Sequence, residues 1–381
     1  MTDNNGPIEL TKKIENTYKN YLVSTFHTDN DILNKEIESE IRNNYQFVKG
    51  PFIEQANIYR KGKTIRDLVS SGVLSEKFLE LGSEKLPSDR PLYSHQVRSI
   101  DNVCVKDRNT VVSTGTGSGK TESFLIPILN HIMNEGNDVS LPGVRAMIIY
   151  PMNALVNDQM RRLSEILSEY PDIRFGFFTG ETKELKTKDS YNARFGRYPK
   201  SNEIFTENDL RNSPPHILIT NYSMLEHILI RYENAVEIFN KDNSTRWKYI
   251  VLDEVHTYGG ATGIEVSMLL KRVQTTIGND SVRFILTSAT LGDKEKNDEV
   301  ADFASKLTNC PFDETDIIRA DTVPRQKPAT VTDHPFQLYR ELWDKIGKGE
   351  EITDSEVFTV LSDSLFWKVY ESITSGNDFI R

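Results

Sequence analysis

Residues 113–121 of the 381-residue chain, Ser-Thr-Gly-Thr-Gly-Ser-Gly-Lys-Thr, constrain the fold more than any other stretch. A Val- and Thr-rich segment precedes them and an apolar segment follows, which predicts a buried strand, a glycine-rich loop and a helix start. Glycine lets the backbone wrap closely around an anion. Backbone N–H groups and the positive helix end then face phosphates, Lys120 adds a charge, and the Thr121 hydroxyl can ligate Mg²⁺. The predicted phosphate-binding loop consists of Thr116, Gly117, Ser118, Gly119, Lys120 and Thr121.

Five apolar runs of strand length follow this loop, and helical segments alternate with them. They are residues 144–150, 173–178, 216–220, 247–252 and 282–286. Continuous apolar runs suit central strands that are buried on both faces, and their alternation with helices predicts a parallel α/β sheet. Such sheets bind ligands at the carboxyl ends of their strands. The polar residues 183–215 read as an insertion or a long loop.

Composition limits the classes of partner and compartment. The net charge is −10 and the isoelectric point is near 5.4, so any nucleic-acid site must be local. Cys104 and Cys310 lack metal-ligand spacing and read as thiols of a reducing compartment. The first residues do not resemble a signal peptide, and no apolar run approaches the ~20 residues that span a bilayer. We therefore expect a cytoplasmic protein without a membrane partner.

Two adjacent carboxylates, Asp253 and Glu254, directly follow the apolar run that ends at Leu252. Hydrolysis of ATP needs a ligand for Mg²⁺ and a group that orients and deprotonates the attacking water. We assign Asp253 to the metal and Glu254 to the general base, and we expect His256 to sense the γ-phosphate. An Asp-Glu pair is commonly part of a solvated loop, but its place at a strand end behind a phosphate loop favours the catalytic interpretation.

Gln96 opens a helical segment shortly before the phosphate loop. A glutamine carries a donor and an acceptor side by side, so it can pair with N6 and N7 of adenine. Tyr93 is an aromatic residue near enough in sequence to stack on the base. A glutamine on a helix is usually solvated, and the position before a phosphate loop is what favours adenine binding.

These residues resemble the motifs of superfamily 2 DEAD/DEAH-box helicases, in the order that this family has them. The correspondences are Gln96 with the adenine-binding motif, Thr116–Thr121 with motif I, Pro151-Met-Asn-Ala-Leu155 with motif Ia, Thr179-Gly180-Glu181 with a strand-contacting turn, Thr220-Asn-Tyr-Ser223 with motif Ib, Asp253-Glu-Val-His256 with motif II and Ser288-Ala-Thr290 with motif III. The resemblance covers residues 88–320. Residues 150–159 and 219–226 look most like the large Lhr-like bacterial helicases, some of which serve DNA repair or anti-phage defence.

The resemblance implies a RecA-like lobe with a central, mostly parallel sheet over residues 88–325. A helical region (1–87) would precede the lobe, and a helical tail (326–381) would follow it. The implied cofactors are ATP and Mg²⁺, and the implied partner is nucleic acid, DNA rather than RNA, held by its backbone. Residues implied to contact the strand are Pro151, Asn153, Thr179, Gly180, Thr220, Asn221 and Ser223. Residues implied to couple the ATP site to the strand are Ser288, Ala289 and Thr290.

The sequence departs from the family in the second motor lobe. No Gln-x-x-Gly-Arg-x-x-Arg pattern, which carries the arginine finger, occurs in the 381 residues. An arginine finger contributes about 10³–10⁵ in rate, so we expect the chain to bind ATP but hydrolyse it poorly, as a fragment or a split subunit whose partner lobe lies on another chain. The alternative functions are a non-catalytic scaffold or regulatory subunit that binds ATP or nucleic acid, and an NTPase unrelated to nucleic acid. The intact Lys120, Asp253 and Glu254 favour a helicase over a scaffold, because a scaffold needs no general base, whereas the missing second lobe favours a scaffold for this chain. The strand-contacting motifs disfavour an NTPase unrelated to nucleic acid.

Overall fold

The structure is a computed structural model of the chain, and it divides into two compact units. One unit comprises residues 59–323, and the other comprises the residues up to Ile58 together with those from Pro324 onward. The residues that the structure describes are 7–43, 47, 58–115, 117–231, 238–239, 245–289, 296–323, 327–335, 337–348, 350 and 353–374.

Two helices at the start of the chain, α1 (Pro7–Thr25) and α2 (Asp31–Asn43), belong to the smaller unit. The side chain of Asn30 accepts hydrogen bonds from the backbone N–H groups at the start of α2, which ends the preceding turn and starts this helix. The two helices contact each other, and Arg42 donates to the side-chain oxygen of Asn20 at 2.9 Å.

A small antiparallel sheet opens the larger unit and positions the helix that leads to the phosphate loop. Its elements are β1 (Lys61–Thr64), α3 (Ile65–Ser70), β2 (Pro91–Tyr93) and α4 (Ser94–Ile100). Thr64 and Asp67 form a reciprocal capping box, so β1 ends where α3 begins. Because β2 continues directly into α4, pairing of the two strands fixes where α4 starts.

A sheet of eight strands forms the centre of the larger unit, with the order β10-β3-β9-β8-β4-β7-β5-β6. Every pairing between these strands is parallel. The strands are β3 (Thr110–Ser113), β4 (Ala146–Tyr150), β5 (Phe175–Phe178), β6 (Glu203–Ile204), β7 (Ile217–Asn221), β8 (Tyr249–Leu252), β9 (Arg283–Ser288) and β10 (Ile317–Arg319). The predicted parallel α/β sheet is confirmed.

Helices cover both faces of this sheet, and the central strands are buried on both sides. Alternate residues of β4 enter different hydrophobic clusters: Ile148 and Tyr150 pack on one face, and Met147 and Ile149 on the other. Full burial of one such side chain stabilises the fold by about 1.5–3 kcal/mol. The helices are α5 (Lys120–Asn134), α6 (Asn153–Ile166), α7 (Lys188–Phe195), α8 (Glu207–Asn212), α9 (Tyr222–Ile230), α10 (Gly260–Ile277) and α11 (Asn297–Thr308).

Residues 183–215, which their polar composition suggested to be a loop, contain α7, β6 and α8. The hydroxyl groups of Thr187 and Thr206 cap the two helices, and Gly196 ends α7 with a φ of +67°. Tyr191 is fully buried and fixes α7 to the unit, because its hydroxyl donates to the carboxylate of Glu203 at 2.6 Å. Local caps and one aromatic anchor therefore order a segment that has few apolar residues.

The amino end of the sheet contains a buried cation. Arg145, directly before β4, has no exposed side-chain surface and pairs with Glu135 at 2.8 Å. Its remaining N–H groups donate to the backbone carbonyl groups of Asp138, Leu141 and Gly143. A buried charge is tolerated when it is paired and its donors are satisfied, so Arg145 ties the turn after α5 to the start of β4.

Three helices follow the larger unit in the chain: α12 (Gln337–Lys348), α13 (Asp354–Leu361) and α14 (Ser364–Thr374). Thr353 caps α13 through a reciprocal bond with Glu356. The indole N–H of Trp367 donates to the carbonyl oxygen of Leu361 at 2.7 Å, which holds α14 against the end of α13. Within the described ranges, no helix combines the length and the apolar character needed to cross a membrane.

Candidate nucleotide and nucleic-acid site

The phosphate-binding loop lies between β3 and α5. Gly117 and Gly119 have φ values of +72° and +71°, a left-handed conformation that glycine adopts without steric cost. A Cβ atom at Gly119 would also collide with the side-chain amide of Gln96. Because α5 begins at Lys120, the free N–H groups of its first turn and its positive end face the loop. Thr116 lies outside the described residues.

The first turn of α4 supports this loop from the protein interior. Nε2 of the buried His95 lies 2.9 Å from the carbonyl oxygen of Ser118, and burial lowers the pKa of this imidazole, so a neutral ring donates to that oxygen. The amide nitrogen of Gln96 donates to the carbonyl oxygen of Gly119 at 2.8 Å, and its oxygen accepts from the Tyr93 backbone N–H at 2.7 Å. Gln96 therefore braces the loop, and pairing through these same atoms with adenine requires an exchange of partners.

Lys120 of the loop pairs with the predicted general base. Its Nζ lies 3.1 Å from Oε1 of Glu254, and the two side chains are 12% and 25% exposed. Glu254 has a φ of +51°, which costs a residue other than glycine about 1–2 kcal/mol. This conformation turns the chain from β8 into the short 3₁₀ helix Val255–Thr257. The structure thus brings the loop cation and the predicted base into direct contact.

Asp253 follows β8 directly and is largely shielded from solvent. Burial raises the pKa of its carboxyl group above the ordinary value, although the Thr287 hydroxyl and the Glu254 backbone N–H both donate to Oδ1. Thr121, the second residue of α5, is partly buried. Carboxylate and hydroxyl oxygens are ligand types that suit Mg²⁺. Among the described residues, no group of three His, Cys, Asp or Glu side chains could hold a metal, so this ion would also need phosphate and water oxygens.

His256 and Ser288 extend the contacts from Glu254 to β9. Nδ1 of His256 lies 3.3 Å from Oε2 of Glu254 and 3.1 Å from the hydroxyl oxygen of Ser288. The carbonyl oxygen of Ser288 accepts from the backbone N–H of Thr114 at 3.0 Å. Ser288 therefore contacts the phosphate loop through its backbone and His256 through its side chain. Ala289 is partly buried, and Thr290 lies outside the described residues.

The residues predicted to contact a nucleic-acid strand lie at the carboxyl ends of β4, β7 and β5, which are neighbours in the sheet. The side-chain amide of Asn221 donates to the side-chain oxygen of Asn153 at 2.5 Å, and its own oxygen caps α9. The Thr220 hydroxyl donates to the carbonyl oxygen of Phe178 at 2.7 Å. The structure thus brings the ends of these three strands together through side-chain hydrogen bonds.

Exposure divides this set of residues in two. Asn153, Gly180 and Ser223 are exposed and can be reached by a ligand. Pro151 is partly buried. Thr179, Thr220 and Asn221 are buried, and they hold the turns in place.

A family profile described as DEAD/DEAH box helicase matches residues 93–298, more than half of the chain. The chain belongs to the DEAD/DEAH box helicase family. The match extends from Tyr93, before the phosphate loop, to the start of α11, so it contains each of the sites described above. The predicted helicase family is confirmed.

Three proteins illustrate the relatives of this chain. The chain is 28% identical to the Druantia protein DruE of Escherichia coli, over 81% of the chain and 22% of DruE. It is 31% identical to the ATP-dependent helicase Lhr-Core of Methanothermobacter thermautotrophicus, over 46% of the chain and 19% of that protein. The crystal structure of the DUF1998 helicase MrfA bound to DNA shares 26% identity and a TM-score of 0.50, over 75% of the chain and 34% of MrfA. The chain spans about a fifth to a third of the length of these relatives. The likeness to the MrfA structure confirms the predicted RecA-like fold.

The helicase fold brings one further aromatic residue, Tyr59, to the nucleotide loop. Its hydroxyl oxygen would lie 2.9 Å from a Cβ atom at Gly115, and its ring packs edge-on against Tyr93 and His95 at 5.5 and 5.7 Å. Tyr93 itself stacks on His95. Sequence reasoning missed Tyr59 because it precedes Gln96 by 37 positions and belongs to no local motif.

Proposed function

We propose that this helicase lobe binds ATP with Mg²⁺ at the carboxyl ends of β3 and β8. Hydrolysis of this ATP would drive movement along a nucleic-acid strand that is held at the ends of β4, β5 and β7, or it would drive separation of that strand from its complement. The observation that carries the proposal is the continuous set of contacts from Lys120 through Glu254 and His256 to Ser288. These contacts link the loop cation and the base to a third strand of the same sheet.

The Lys120–Glu254 pair explains how nucleotide binding prepares the base. A triphosphate carries several negative charges and attracts Lys120 more strongly than a single carboxylate does. When Lys120 moves to the phosphates, Glu254 loses its cation and becomes free to accept a proton from the attacking water. Nδ1 of His256 lies 3.3 Å from Oε2 of Glu254 and so stays beside this carboxylate.

Asp253 and Thr121 would hold Mg²⁺. The desolvated carboxyl group of Asp253 fits this role, because a nearby cation favours its charged form. When bound, Mg²⁺ neutralises charge on the β- and γ-phosphate oxygens. Thr287 orients the carboxylate through its hydroxyl group, and the Glu254 backbone N–H fixes the same oxygen.

The strand-facing groups are neutral amides, hydroxyl groups and helix N-termini, which can donate hydrogen bonds to the phosphate backbone. We propose DNA rather than RNA, because the relative MrfA was crystallised with DNA. We also propose that a second motor lobe supplies the arginine finger, since the 381 residues contain no Gln-x-x-Gly-Arg-x-x-Arg pattern. ATP hydrolysis by this chain is then slow until that lobe is supplied.

The test measures ATP affinity and ATP turnover for the wild-type chain and for Lys120→Ala, with single-stranded DNA, with single-stranded RNA and with neither. Loss of the loop charge should weaken ATP binding about 10- to 100-fold, since a hydrogen bond to a charged group contributes about 1.5–3 kcal/mol. The matched control is Lys271→Ala on the exposed surface of α10, which should leave ATP binding unchanged.

Equal ATP affinity in Lys120→Ala and the wild type would contradict the phosphate-loop assignment. ATP binding with negligible turnover is the result expected for a lobe that needs its partner. Fast turnover that a strand stimulates would contradict the need for a second lobe. Equal stimulation by RNA and DNA would contradict the preference for DNA.

A further inference from the structure

A basic segment directly follows the strand-contacting turn at the end of β5. Residues 182–200 contain six cationic and two anionic side chains, a net charge of +4 in a chain whose total is −10. Lys183, Lys186 and Lys188, here called the lysine segment, are exposed. In the described part of the chain, none of these three lysines forms an ion pair. These three lysines therefore carry positive charge that is exposed and not held in a described ion pair.

Hydrogen bonds hold the start of this segment at the carboxyl end of β5. Lys183 is the last residue of the 3₁₀ helix that begins at Gly180. The Thr182 hydroxyl accepts from the Thr179 backbone N–H at 2.9 Å and donates to the carbonyl oxygen of Phe177 at 3.2 Å. The first lysine therefore lies one short helical turn beyond the exposed Gly180.

The end of the segment is fixed as well. Lys188 is the first residue of α7, which Thr187 caps. Arg194 near the end of α7 pairs with Glu181 at 2.8 Å, so the helix returns to the strand-contacting turn. The other basic residues of the stretch are occupied: Arg197 pairs with Glu203, and Lys200 donates to the carbonyl oxygen of Ser164. The positive charge available to a ligand thus resides in the lysine segment.

We propose that the lysine segment is a second nucleic-acid contact surface, which binds the phosphates of the strand beyond the Thr179-Gly180 turn. This inference rests on the proposed function, because it extends the same strand path. The ends of β4, β7 and β5 supply neutral groups, which orient a backbone but attract it weakly from a distance. Three ammonium groups next to them supply the attraction that the acidic chain otherwise lacks. Asp189 and Glu184 are the two anions in the stretch, and neither pairs with the three lysines.

The experiment compares the wild type with the triple variant Lys183→Gln, Lys186→Gln and Lys188→Gln. The probe is a fluorescent poly(dT) oligonucleotide of about 20 nucleotides, and affinity is measured by anisotropy over a range of salt concentrations. Each lost phosphate contact lowers the slope of log affinity against log salt by about 0.7, so the triple variant should lose about 2 in slope and roughly 10- to 100-fold in affinity near 0.1 M salt. ATP affinity should not change, because the lysine segment belongs to the strand side.

The control variant makes the same change of charge elsewhere on the larger unit: Lys106→Gln, Lys271→Gln and Lys306→Gln, all exposed. It should bind the oligonucleotide with the slope of the wild type. An unchanged slope in the lysine-segment variant, with wild-type binding intact, would overturn this inference alone. An equal loss in the control would also overturn it, because the effect would then be one of net charge. No binding by the wild type would instead remove the proposed strand-binding function, and this inference with it.

Discussion

Ion pairs have opposite roles at the two ends of the strands of the parallel sheet, here called the carboxyl edge and the amino edge. At the carboxyl edge, Lys120 and Glu254 pair at 3.1 Å, and both side chains keep some exposure. At the amino edge, Arg145 is completely buried against Glu135, and backbone carbonyl groups accept its other N–H donors. Lys120 has no second acceptor among the described residues, whereas the donors of Arg145 are satisfied.

Since both Lys120 and Arg145 form ion pairs, a buried or paired charge does not by itself mark a functional site. A pair that can exchange its partner for a ligand, next to a glycine-rich loop and a helix N-terminus, can do chemistry. A pair such as Arg145 and Glu135, in which backbone carbonyl groups accept the remaining N–H donors, stabilises the fold. Changes at the carboxyl edge should therefore alter activity with little effect on stability, and changes at the amino edge should do the reverse.

The largest effect is expected for Glu254→Gln at the carboxyl edge. Removal of a general base should lower strand-stimulated ATP turnover about 10²–10⁴-fold. ATP affinity should be kept or increased, because Lys120 no longer has a carboxylate to release. Turnover is measured in a steady-state assay with the second motor lobe supplied, because we expect negligible turnover without it. The control, Glu265→Gln on the exposed face of α10, should retain full turnover, and persistent turnover in Glu254→Gln would place the base elsewhere.

Glu135→Gln should destabilise the fold without affecting the site. Loss of one partner from a buried ion pair costs about 3–5 kcal/mol, and we expect the lower end because Glu135 is 13% exposed. Urea unfolding measures the change. The surface variant Glu299→Gln on α11 should stay within about 0.5 kcal/mol of the wild type. If Glu135→Gln weakened ATP binding in the folded protein, the division between the two edges would be wrong.

His216 gives the amino edge a dependence on pH. Burial, together with the charges of Arg145, Arg174 and Arg246, lowers the pKa of His216 to about 3, and its Nδ1 accepts from the Arg174 backbone N–H. The unfolded chain binds a proton here near pH 6.5 but the folded protein does not, so stability falls as the pH drops from about 6.5 towards 3.

The variant His216→Asn removes this titration and keeps an acceptor for Arg174. Between pH 7 and pH 5 the wild type should lose about 2 kcal/mol more stability than His216→Asn. Unfolding curves at the two pH values test this difference. The exposed His227→Asn serves as the control and should follow the wild type. Parallel losses in all three proteins would show that His216 is not the group responsible.

The smallest effect is expected for Asn153→Ala at the strand-facing edge. Loss of one neutral hydrogen-bonding group costs about 0.5–1.5 kcal/mol, so the affinity for single-stranded DNA should fall about 2- to 12-fold. ATP affinity should stay the same, which separates the strand side from the nucleotide side of this edge. Asn157→Ala, one turn later on α6, is the matched control. An equal loss in both variants would remove Asn153 from the strand path.

The central strands were predictable because burial on both faces leaves a continuous apolar run in the sequence. The edge strands β6 and β10 were not, because two or three residues are too few to show a pattern. The helices in residues 183–215 were not predicted for a related reason. They depend on threonine caps and on the buried Tyr191, and a few such residues do not change the polar composition of the whole stretch.

The loop, the carboxylate pair and the strand-end motifs were predictable from spacing, because each follows a recognisable strand. The contacts of their side chains were not. Gln96 was predicted to pair with adenine, which stays a prediction, but no sequence pattern indicates that its amide contacts the backbone of Gly119 and Tyr93. No sequence pattern predicts the ion pair between Lys120 and Glu254 either, because these residues are 134 positions apart. The roles of individual site residues remain predictions, and the variants above test them.

The strand order has a consequence for synthesis of the protein. β3, which carries the phosphate loop, lies between β9 and β10, so both of its neighbours are made much later than it is. Ser288, the register partner of Ser113, leaves the ribosome 175 residues afterwards, which takes about 9–35 s at 5–20 residues per second. During that interval the glycine-rich loop has no sheet to hold it. A nascent chain should therefore gain the ability to bind nucleotide only after β9 has emerged, late and in one step.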